Sequence, residues 1–334
     1  MLPHLTRGNT TNQLELSSRS TSLVVIETLV YAVIALAALL GNILVLWIVY
    51  KNHALRSIPN YFVISLACSD IAMVTLATPW SIAVLAAGKW PFDFVSCQFQ
   101  GFIVIWAAIA SLHNLTIMAI NRFLRIVKPA HYRKFFSPNK TRFYVLFAFM
   151  YSTISLLPYL IGGNVYVFQP GKFFCYQTVT VQYTIPLMGI FICIPTFIIV
   201  GCYTRVFLVL RAHAKNMNTH RSVSVHSSLR ITVEDIKVTR TLFATVATFL
   251  LCWSPVVIIE FVDVALGASL LPRRLYVSFT FCGLCSSAVN PIIYGAMNKK
   301  FRREYKKVFG CYGNRINVIV ASTNQSVDST AHVK

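Results

Sequence analysis

The stretch from Ser111 to Pro129 reads SLHNLTIMAINRFLRIVKP, an apolar segment that ends in Asn121-Arg122-Phe123 and then turns basic. A single arginine at the end of such a segment is usually an interface residue, because its stem lies along lipid while its guanidinium reaches water. Six further apolar segments surround this one, each with a polar residue or a proline of its own. The stretch is therefore interpreted as one helix of a larger bundle.

The composition indicates a polytopic membrane protein, since 56% of the 334 residues are apolar and only 12% are charged. The formal net charge of +20 would suit nucleic-acid binding, but the basic residues are not spread evenly. All except six of the 30 lysines and arginines fall on one side of the predicted spans, which predicts an N-terminus outside and a C-terminus in the cytoplasm. We expect contacts with anionic membrane lipid and none with nucleic acid.

Seven segments are long enough to cross about 30 Å of hydrocarbon. They are Ser22–Tyr50, Asn60–Ala87, Val95–Val127, Arg142–Ile161, Val181–Leu210, Val238–Leu266 and Arg274–Met297. Backbone polar groups in lipid are satisfied only in helices or closed barrels, and runs this long do not suit barrel strands. The prediction is an all-α membrane protein, a seven-transmembrane helix bundle over 22–297 that follows a polar extracellular tail over 1–21.

The segment over 298–311 is predicted to form a short amphipathic eighth helix on the membrane surface. Its apolar residues share one helical face: Phe301, Tyr305, Val308 and Phe309. Cys311 is a candidate for palmitoylation, and the tail over 312–334 is predicted to be disordered. At the other end of the chain, Asn9 in Asn-Thr-Thr is a candidate for N-glycosylation.

Cys97 and Cys175 both fall in predicted extracellular segments, where disulfides persist. A bridge between them would hold the second outer loop over the helices. Cys282 and Cys285 have the spacing of a redox motif, but they lie in a predicted membrane helix, which argues against thiol chemistry. Because His113 has no partner suited to nucleophilic or metal chemistry in its segment, the chain is not predicted to be an enzyme.

Polar residues occur at similar depth in four predicted spans: Asn42, Asp70, Ser111, Ser286, Ser287 and Asn290. A carboxylate in hydrocarbon is costly unless it is paired or hydrated, so Asp70 should face the bundle interior. Three interpretations remain open. The cluster could be a structural hydrogen-bond network or the pathway of a membrane transporter or channel, and a third interpretation follows from the resemblance given next.

Together these features resemble the class A (rhodopsin-like) G-protein-coupled receptors over roughly residues 22–311. The resemblance implies a plasma-membrane protein that converts an extracellular ligand into activation of a heterotrimeric G protein, with arrestin as a further partner. It implies no cofactor, but it does imply an allosteric sodium ion on Asp70, Ser111 and Asn290. The residues that match the family's activation switch are Asn121, Arg122, Phe123, Tyr203, Asp235, Phe249, Trp253, Pro255, Asn290, Pro291 and Tyr294.

In that family the arginine at the end of the third span pairs with an acidic residue at the start of the sixth. The resemblance therefore implies an ion pair between Arg122 and Asp235, with Glu234 as the weaker candidate. Breaking the pair would let the sixth span move outward and open a cavity for a G-protein helix. Asn121 replaces the usual acidic residue before the arginine, which implies raised basal activity.

By position, the resemblance places six residues at the ligand pocket: Trp80, Val104, Tyr176, Trp253, Glu260 and Leu284. Leu284 replaces the lysine that binds retinal in opsins, and Val104 replaces the aspartate that binds amines in amine receptors. Neither ligand is therefore expected. Glu260 and Asp263 could meet a basic group on a ligand, or they could pair with Arg273 or Arg274 at the rim.

The third span and the loop after it, from Asn114 to Tyr132, are similar to the melatonin receptors, which also carry asparagine before the arginine. This similarity implies a small melatonin-like ligand and a G protein of the inhibitory class. The chain departs from that family at Pro291, where those receptors have alanine, and at Tyr159, where they place a ligand-binding asparagine. The ligand itself stays open.

Overall fold

The computed structural model describes residues 3–178, 181–218, 232–266, 270–308 and 310. Within those residues, seven helices are long and apolar enough to cross a membrane. From the first span to the seventh they are Thr21–Lys51, Ile58–Ala87, Phe94–Ile126, Pro138–Ile161, Val181–Ala214, Val233–Leu266 and Arg273–Met297. The predicted all-α membrane fold is confirmed, and the predicted ends of the spans agree within a few residues.

Two spans depart from a regular α-helix. The second span consists of Ile58–Leu76 and Thr78–Ala87, separated by Ala77, whose φ of −123° is not helical. The fifth span begins as an α-helix over Val181–Met188, continues as a π-helix over Gly189–Cys193 and returns to an α-helix at Ile194. Both irregular points lie beside the cavity described below.

Shorter elements complete the fold. Tyr166–Gln169 pairs antiparallel with Phe174–Gln177 in a hairpin between the fourth and fifth spans. A short helix over Pro129–Phe135 and a 3-10 turn over His53–Leu55 lie at the opposite end of the bundle. We call these two ends the hairpin end and the Arg122 end.

A further helix follows the seventh span over 299–308, where the amphipathic eighth helix was predicted. Its apolar face is turned inward, because Phe301 is fully buried and its ring lies 5.8 Å from that of Tyr294. The Tyr305 hydroxyl donates a hydrogen bond to the carbonyl of Pro291, 3.1 Å away. Cys311 and the predicted disordered tail over 312–334 lie outside the described residues.

The N-terminal segment was expected to be a polar tail, but the structure forms a helix over Pro3–Ser17. This helix docks on the hairpin end of the bundle, where Leu16 is 1% exposed. Just after it, Arg19 pairs with Glu27 of the first span at 2.6 Å, and Arg273 of the seventh span pairs with the same carboxylate at 2.6 Å. Two cations around one carboxylate explain why this segment is ordered against the bundle.

The bundle places apolar side chains outside and polar ones inside. Trp47, Phe197 and Leu251 are all more than half exposed, as lipid-facing residues would be, whereas Asn42 and Asp70 are 1% and 5% exposed. The polar cluster identified in the sequence therefore forms part of the interior, where Ser287 bonds to both Asn42 and Asp70.

The first and seventh spans approach each other closely at Gly41. A Cβ atom at this position would lie 2.8 Å from the ring of Pro291. Close approach of this kind needs a residue without a side chain, as is common between membrane helices.

Gly41→Ala should therefore lower stability, by about 1–3 kcal/mol, because the added methyl group overpacks the contact with Pro291. Gly201→Ala is the matched control: nothing lies within 4 Å of a Cβ atom there, so alanine should be neutral or slightly stabilising. Thermal unfolding of the purified variants in detergent would measure both effects. Equal melting temperatures for the two variants would contradict the close contact.

Candidate functional site

A cavity of about 410 Å³ opens among the spans towards the hairpin end. Its walls are mainly aliphatic and aromatic side chains of the third, fifth, sixth and seventh spans, and the second strand of the hairpin covers part of it. Five of the six predicted pocket residues line it: Val104, Tyr176, Trp253, Glu260 and Leu284. A largely apolar cavity of this size with a few polar groups is typical of a small-molecule site.

Trp80, the sixth predicted pocket residue, does not line the cavity, and that prediction is wrong. Its ring packs instead against Trp90, Phe92 and Phe99 at the hairpin end. Trp80 follows the break at Ala77, after which the helix restarts with a proline in its first turn. The restart changes which face of the second span points inward, so counting along a regular helix misplaces this residue.

The hairpin is held over the cavity by the third span. Cys97 at the start of that span forms the predicted disulfide with Cys175, with a Cα–Cα distance of 5.3 Å. The side-chain oxygen of Gln100 accepts a hydrogen bond from the backbone N–H of Cys175 at 2.9 Å. Burial raises the pKa of the neighbouring Tyr176 well above its usual value, so its phenol remains protonated against the cavity.

The acidic residues at the rim have a different partner from the one expected. Glu260 and Asp263 were predicted to pair with Arg273 or Arg274 if not with a ligand. Arg273 instead pairs with Glu27, and Lys172 of the hairpin lies 2.5 Å from Glu260 and 3.6 Å from Asp263. The Glu260 carboxylate, which lines the cavity, is therefore already paired with the ammonium of Lys172.

The floor of the cavity is formed by two stacked rings of the sixth span. Phe249 and Trp253 stack at 5.6 Å between centroids, and both line the cavity. The indole N–H of Trp253 donates to the hydroxyl of Ser286 in the seventh span at 3.1 Å. Pro255 stands inside the same helix, two residues after the tryptophan, and interrupts its hydrogen-bond ladder.

Below this floor lies the buried carboxylate of Asp70. One oxygen accepts from the Ser287 hydroxyl at 2.7 Å and the other from the Asn290 amide at 3.0 Å. Ser111 is not bonded to Asp70 in the described part of the chain, and its hydroxyl pairs instead with that of Ser69 at 2.8 Å. The second and seventh spans thus meet at this carboxylate, and the third span is joined to the second beside it through Ser69.

Arg122 is 2% exposed at the opposite end of the third span, and its guanidinium donates to the side-chain oxygen of Asn121. The predicted ion pair with Asp235 is not formed. Asp235 instead accepts two hydrogen bonds from Arg125, at 3.0 and 3.2 Å. The reason is geometric, because Arg125 is one helical turn further along the same face of the third span.

Asp235 also caps the start of the sixth span. Its carboxylate accepts from the backbone N–H of Thr232 at 3.2 Å, and its own N–H donates to the hydroxyl of Thr232 at 3.1 Å. This reciprocal pair is a capping box, which fixes where the helix begins. Glu234, the weaker candidate, points to the surface and pairs with Lys300.

The remaining predicted switch residues lie between the floor and this end. Tyr203 and Tyr294 are both buried, and the Tyr203 hydroxyl has no hydrogen-bond partner among the described residues. Phe123 is half-buried beside Arg122.

His113 is buried and lies 3.3 Å from the hydroxyl of Ser152, so it is a core histidine. Asn9 lies on the N-terminal helix, and nothing in the structure bears on its glycosylation.

Sequence reasoning missed two residues of the site, Lys172 and Arg125. Lys172 carried a signal, since it is one of few cations on its side of the predicted spans. Arg125 carried none, because basic residues are abundant at the end of every inward segment.

Comparison of the sequence with known proteins finds a matching family model and several similar proteins. A family model described as 7 transmembrane receptor (rhodopsin family) matches residues 41–294. Melatonin receptor type 1A of Mus musculus is 28% identical over 295 residues, which cover 87% of this chain and 82% of that protein. Melatonin receptor type 1A-A of Danio rerio is 30% identical over 279 residues, covering 81% and 77%, and the type 1A receptor of Gallus gallus is 29% identical over 298 residues, covering 87% and 82%.

Arg125→Ala should loosen the start of the sixth span, because Asp235 loses its partner on the third. The pair is partly exposed, so a loss of about 1 kcal/mol is expected, which corresponds to roughly fivefold faster local hydrogen exchange around residues 235–245. Arg142→Ala is the control, since Arg142 is an exposed cation bonded to Tyr61. Hydrogen exchange followed by mass spectrometry would measure the change, and unaltered exchange in Arg125→Ala would rule out this contact as a restraint.

Proposed function

Because the chain belongs to the rhodopsin family of seven-transmembrane receptors and is related to the melatonin receptors, we propose that it activates a heterotrimeric G protein when a small extracellular ligand binds. The single observation that carries the proposal is a ligand-sized cavity with Trp253 at its floor, in a bundle that also buries Asp70 and Arg122. The matched family consists of receptors and not of enzymes, and nothing favours the alternative of a transporter or channel.

The proposed orientation places the hairpin end outside the plasma membrane and the Arg122 end in the cytoplasm. Its support is the distribution of basic residues along the chain, which favours the Arg122 end. The disulfide between Cys97 and Cys175 lies at the hairpin end, and an oxidising exterior would preserve it. A G protein, and arrestin after it, would then meet the receptor at the Arg122 end.

We propose an uncharged, mainly apolar ligand. Glu260 is the one carboxylate that lines the cavity in the described chain, and Lys172 already neutralises it. The relatives are named melatonin receptors, and melatonin, an uncharged indole amide, fits this chemistry. The position at which those receptors place an asparagine is held here by Tyr159, whose hydroxyl donates to the carbonyl of Val165 at 2.8 Å and does not line the cavity. A related indole is therefore as suitable as melatonin.

In the proposed mechanism a ligand presses on Trp253 at the cavity floor. Movement of its indole would break the hydrogen bond to Ser286 and repack the ring stacked on Phe249. Because Pro255 weakens the helix at this level, the Arg122 end of the sixth span could swing outward. The ion pair between Arg125 and Asp235 opposes that swing. The ligand, bound at the hairpin end, and the G protein, bound at the Arg122 end, would both favour the outward position of the sixth span.

The residues around Asp70 fit a hydrated sodium ion. A hard cation prefers oxygen ligands. The hydroxyl of Ser287 is bonded to the carboxylate, and that of Ser111 is bonded to Ser69, the residue before Asp70. The side-chain oxygen of Asn42 is buried nearby on the first span without a hydrogen-bond partner in the described chain. A cation held there would balance the carboxylate's charge, and we propose that Asp70, Ser111 and Asn290 hold it in the resting state.

The proposal is tested by expressing the full chain in cells with sensors for each G-protein class, then adding melatonin and related uncharged indoles. Arg122→Ala should reduce the basal and ligand-driven signals about tenfold or more, because its guanidinium would bind the G protein in the open state. We expect the inhibitory class to respond. Arg142→Ala is the control for loss of an arginine, and ion flux without any G-protein signal would overturn the proposal.

Asn121→Asp should lower basal signalling, by about fivefold, because a charged acceptor holds the Arg122 guanidinium more strongly than a neutral amide does. Asn139→Asp adds the same charge at an exposed position and serves as the control. Basal G-protein dissociation at matched surface expression is the measurement. Higher basal signalling in Asn121→Asp would show that Asn121 does not weaken the resting state.

A further inference from the structure

Lys172 lies on the turn of the hairpin, yet it is only 2% exposed. A lysine at the water-facing end of a membrane protein ordinarily extends its ammonium towards solvent. Here the ammonium points into the bundle, where it lies 2.5 Å from Glu260 and 3.6 Å from Asp263 of the sixth span. Burying a lysine is costly unless its charge is matched, so the surroundings must compensate.

Three aromatic rings surround the same ammonium. Its nitrogen lies 4.4 Å from the ring centroid of Tyr176, 4.7 Å from that of Phe279 and 5.5 Å from that of Tyr276. Aromatic faces at this distance attract a cation, and rings combined with carboxylates form the usual recognition site for organic ammonium groups. We call these two carboxylates and three rings the ammonium cage.

The hairpin turn is shaped to deliver the lysine into this cage. A Cβ atom at Gly171 would lie 2.6 Å from the ring of Tyr276, so only glycine allows the turn to pack so closely. The next residue but one, Phe173, has a φ of +49° and is fully buried. The carbonyl of Lys172 accepts a hydrogen bond from the hydroxyl of Thr280 at 3.0 Å. The backbone on both sides of the lysine is thus fixed.

We propose that the ammonium cage is a binding site for primary organic ammonium groups and that Lys172 is its built-in ligand. Lys172 holds the hairpin against the hairpin end of the sixth span. Because its ammonium already pairs with the carboxylates, the cavity beside the cage suits an uncharged ligand. This assignment deepens the proposed function, since the cage borders the proposed ligand cavity at Glu260. Its test measures protein stability without a G protein, so the assignment and G-protein coupling can fail independently.

Lys172→Ala removes three methylene groups and the ammonium, which are the atoms that n-propylammonium supplies. We expect the melting temperature of the purified variant to fall by about 5 °C or more, because Glu260 and Asp263 lose their counter-ion. Millimolar n-propylammonium chloride should restore part of this loss. Sodium chloride at equal ionic strength and 1-propanol should not, because the first lacks the organic group and the second lacks the charge.

Lys89→Ala is the matched control, because Lys89 is an exposed lysine at the same end of the bundle. It should keep the melting temperature of the unaltered protein and gain nothing from n-propylammonium. A normal melting temperature in Lys172→Ala would overturn the proposal, and so would equal recovery by 1-propanol.

A second variant keeps the proposal testable if Lys172→Ala does not fold. The double change Lys172→Met with Glu260→Gln removes one charge of each sign, so residue 172 and the cage together keep the net charge they have in the unaltered protein. It should melt closer to the unaltered protein than Lys172→Met alone does, since the double-mutant cycle then reports the pair directly. Additive losses from the two single changes would show that the two side chains do not interact and would overturn the assignment.

Discussion

A buried polar group among membrane helices cannot hydrogen-bond to bulk water, so it needs a partner within the protein. The structure meets this constraint at three depths of its interior, although the Tyr203 hydroxyl and the Asn42 side-chain oxygen are buried without a partner in the described chain. Lys172 and Glu260 are paired at the hairpin end, Trp253 and Ser286 at the cavity floor, and Asp70 is held by two side chains of the seventh span. Because every pair joins different segments of the chain, a shift of one span leaves polar groups unpaired on another. This cost favours discrete arrangements of the spans over gradual deformation.

The Arg122 end satisfies the same constraint in two separate ways. The guanidinium of Arg122 is satisfied within its own helix by Asn121, whereas the link between the third and sixth spans is made by Arg125 and Asp235. Arg125 and Asp235 therefore hold the two helices together, whereas Asn121 provides the partner for the buried Arg122. The link is also partly hydrated, since the Arg125 side chain is 32% exposed, which makes it weaker than a buried pair would be.

The sequence predicts the features that depend on composition and on position along a regular helix. Hydrophobic length locates the seven spans, and helical position identifies cavity residues such as Val104 and Leu284. What could not be predicted depends on irregular backbone. Trp80 is misplaced because the second span breaks at Ala77, and Lys172 points inward because Gly171 lets its turn pack on Tyr276. Such features arise from contacts between distant segments, which a pattern within one segment does not contain.

The π-helical segment over Gly189–Cys193 has a consequence for how this chain is compared with its relatives. A π-turn accommodates one residue more than an α-turn, so side chains on its two sides are rotated relative to a regular helix. Leu187 and Thr196 line the same cavity from opposite sides of this segment. An alignment that carries residue equivalences straight through the fifth span is therefore correct on one side and out of register on the other wherever a relative lacks the extra residue. Assigning cavity positions between such receptors requires superposed coordinates.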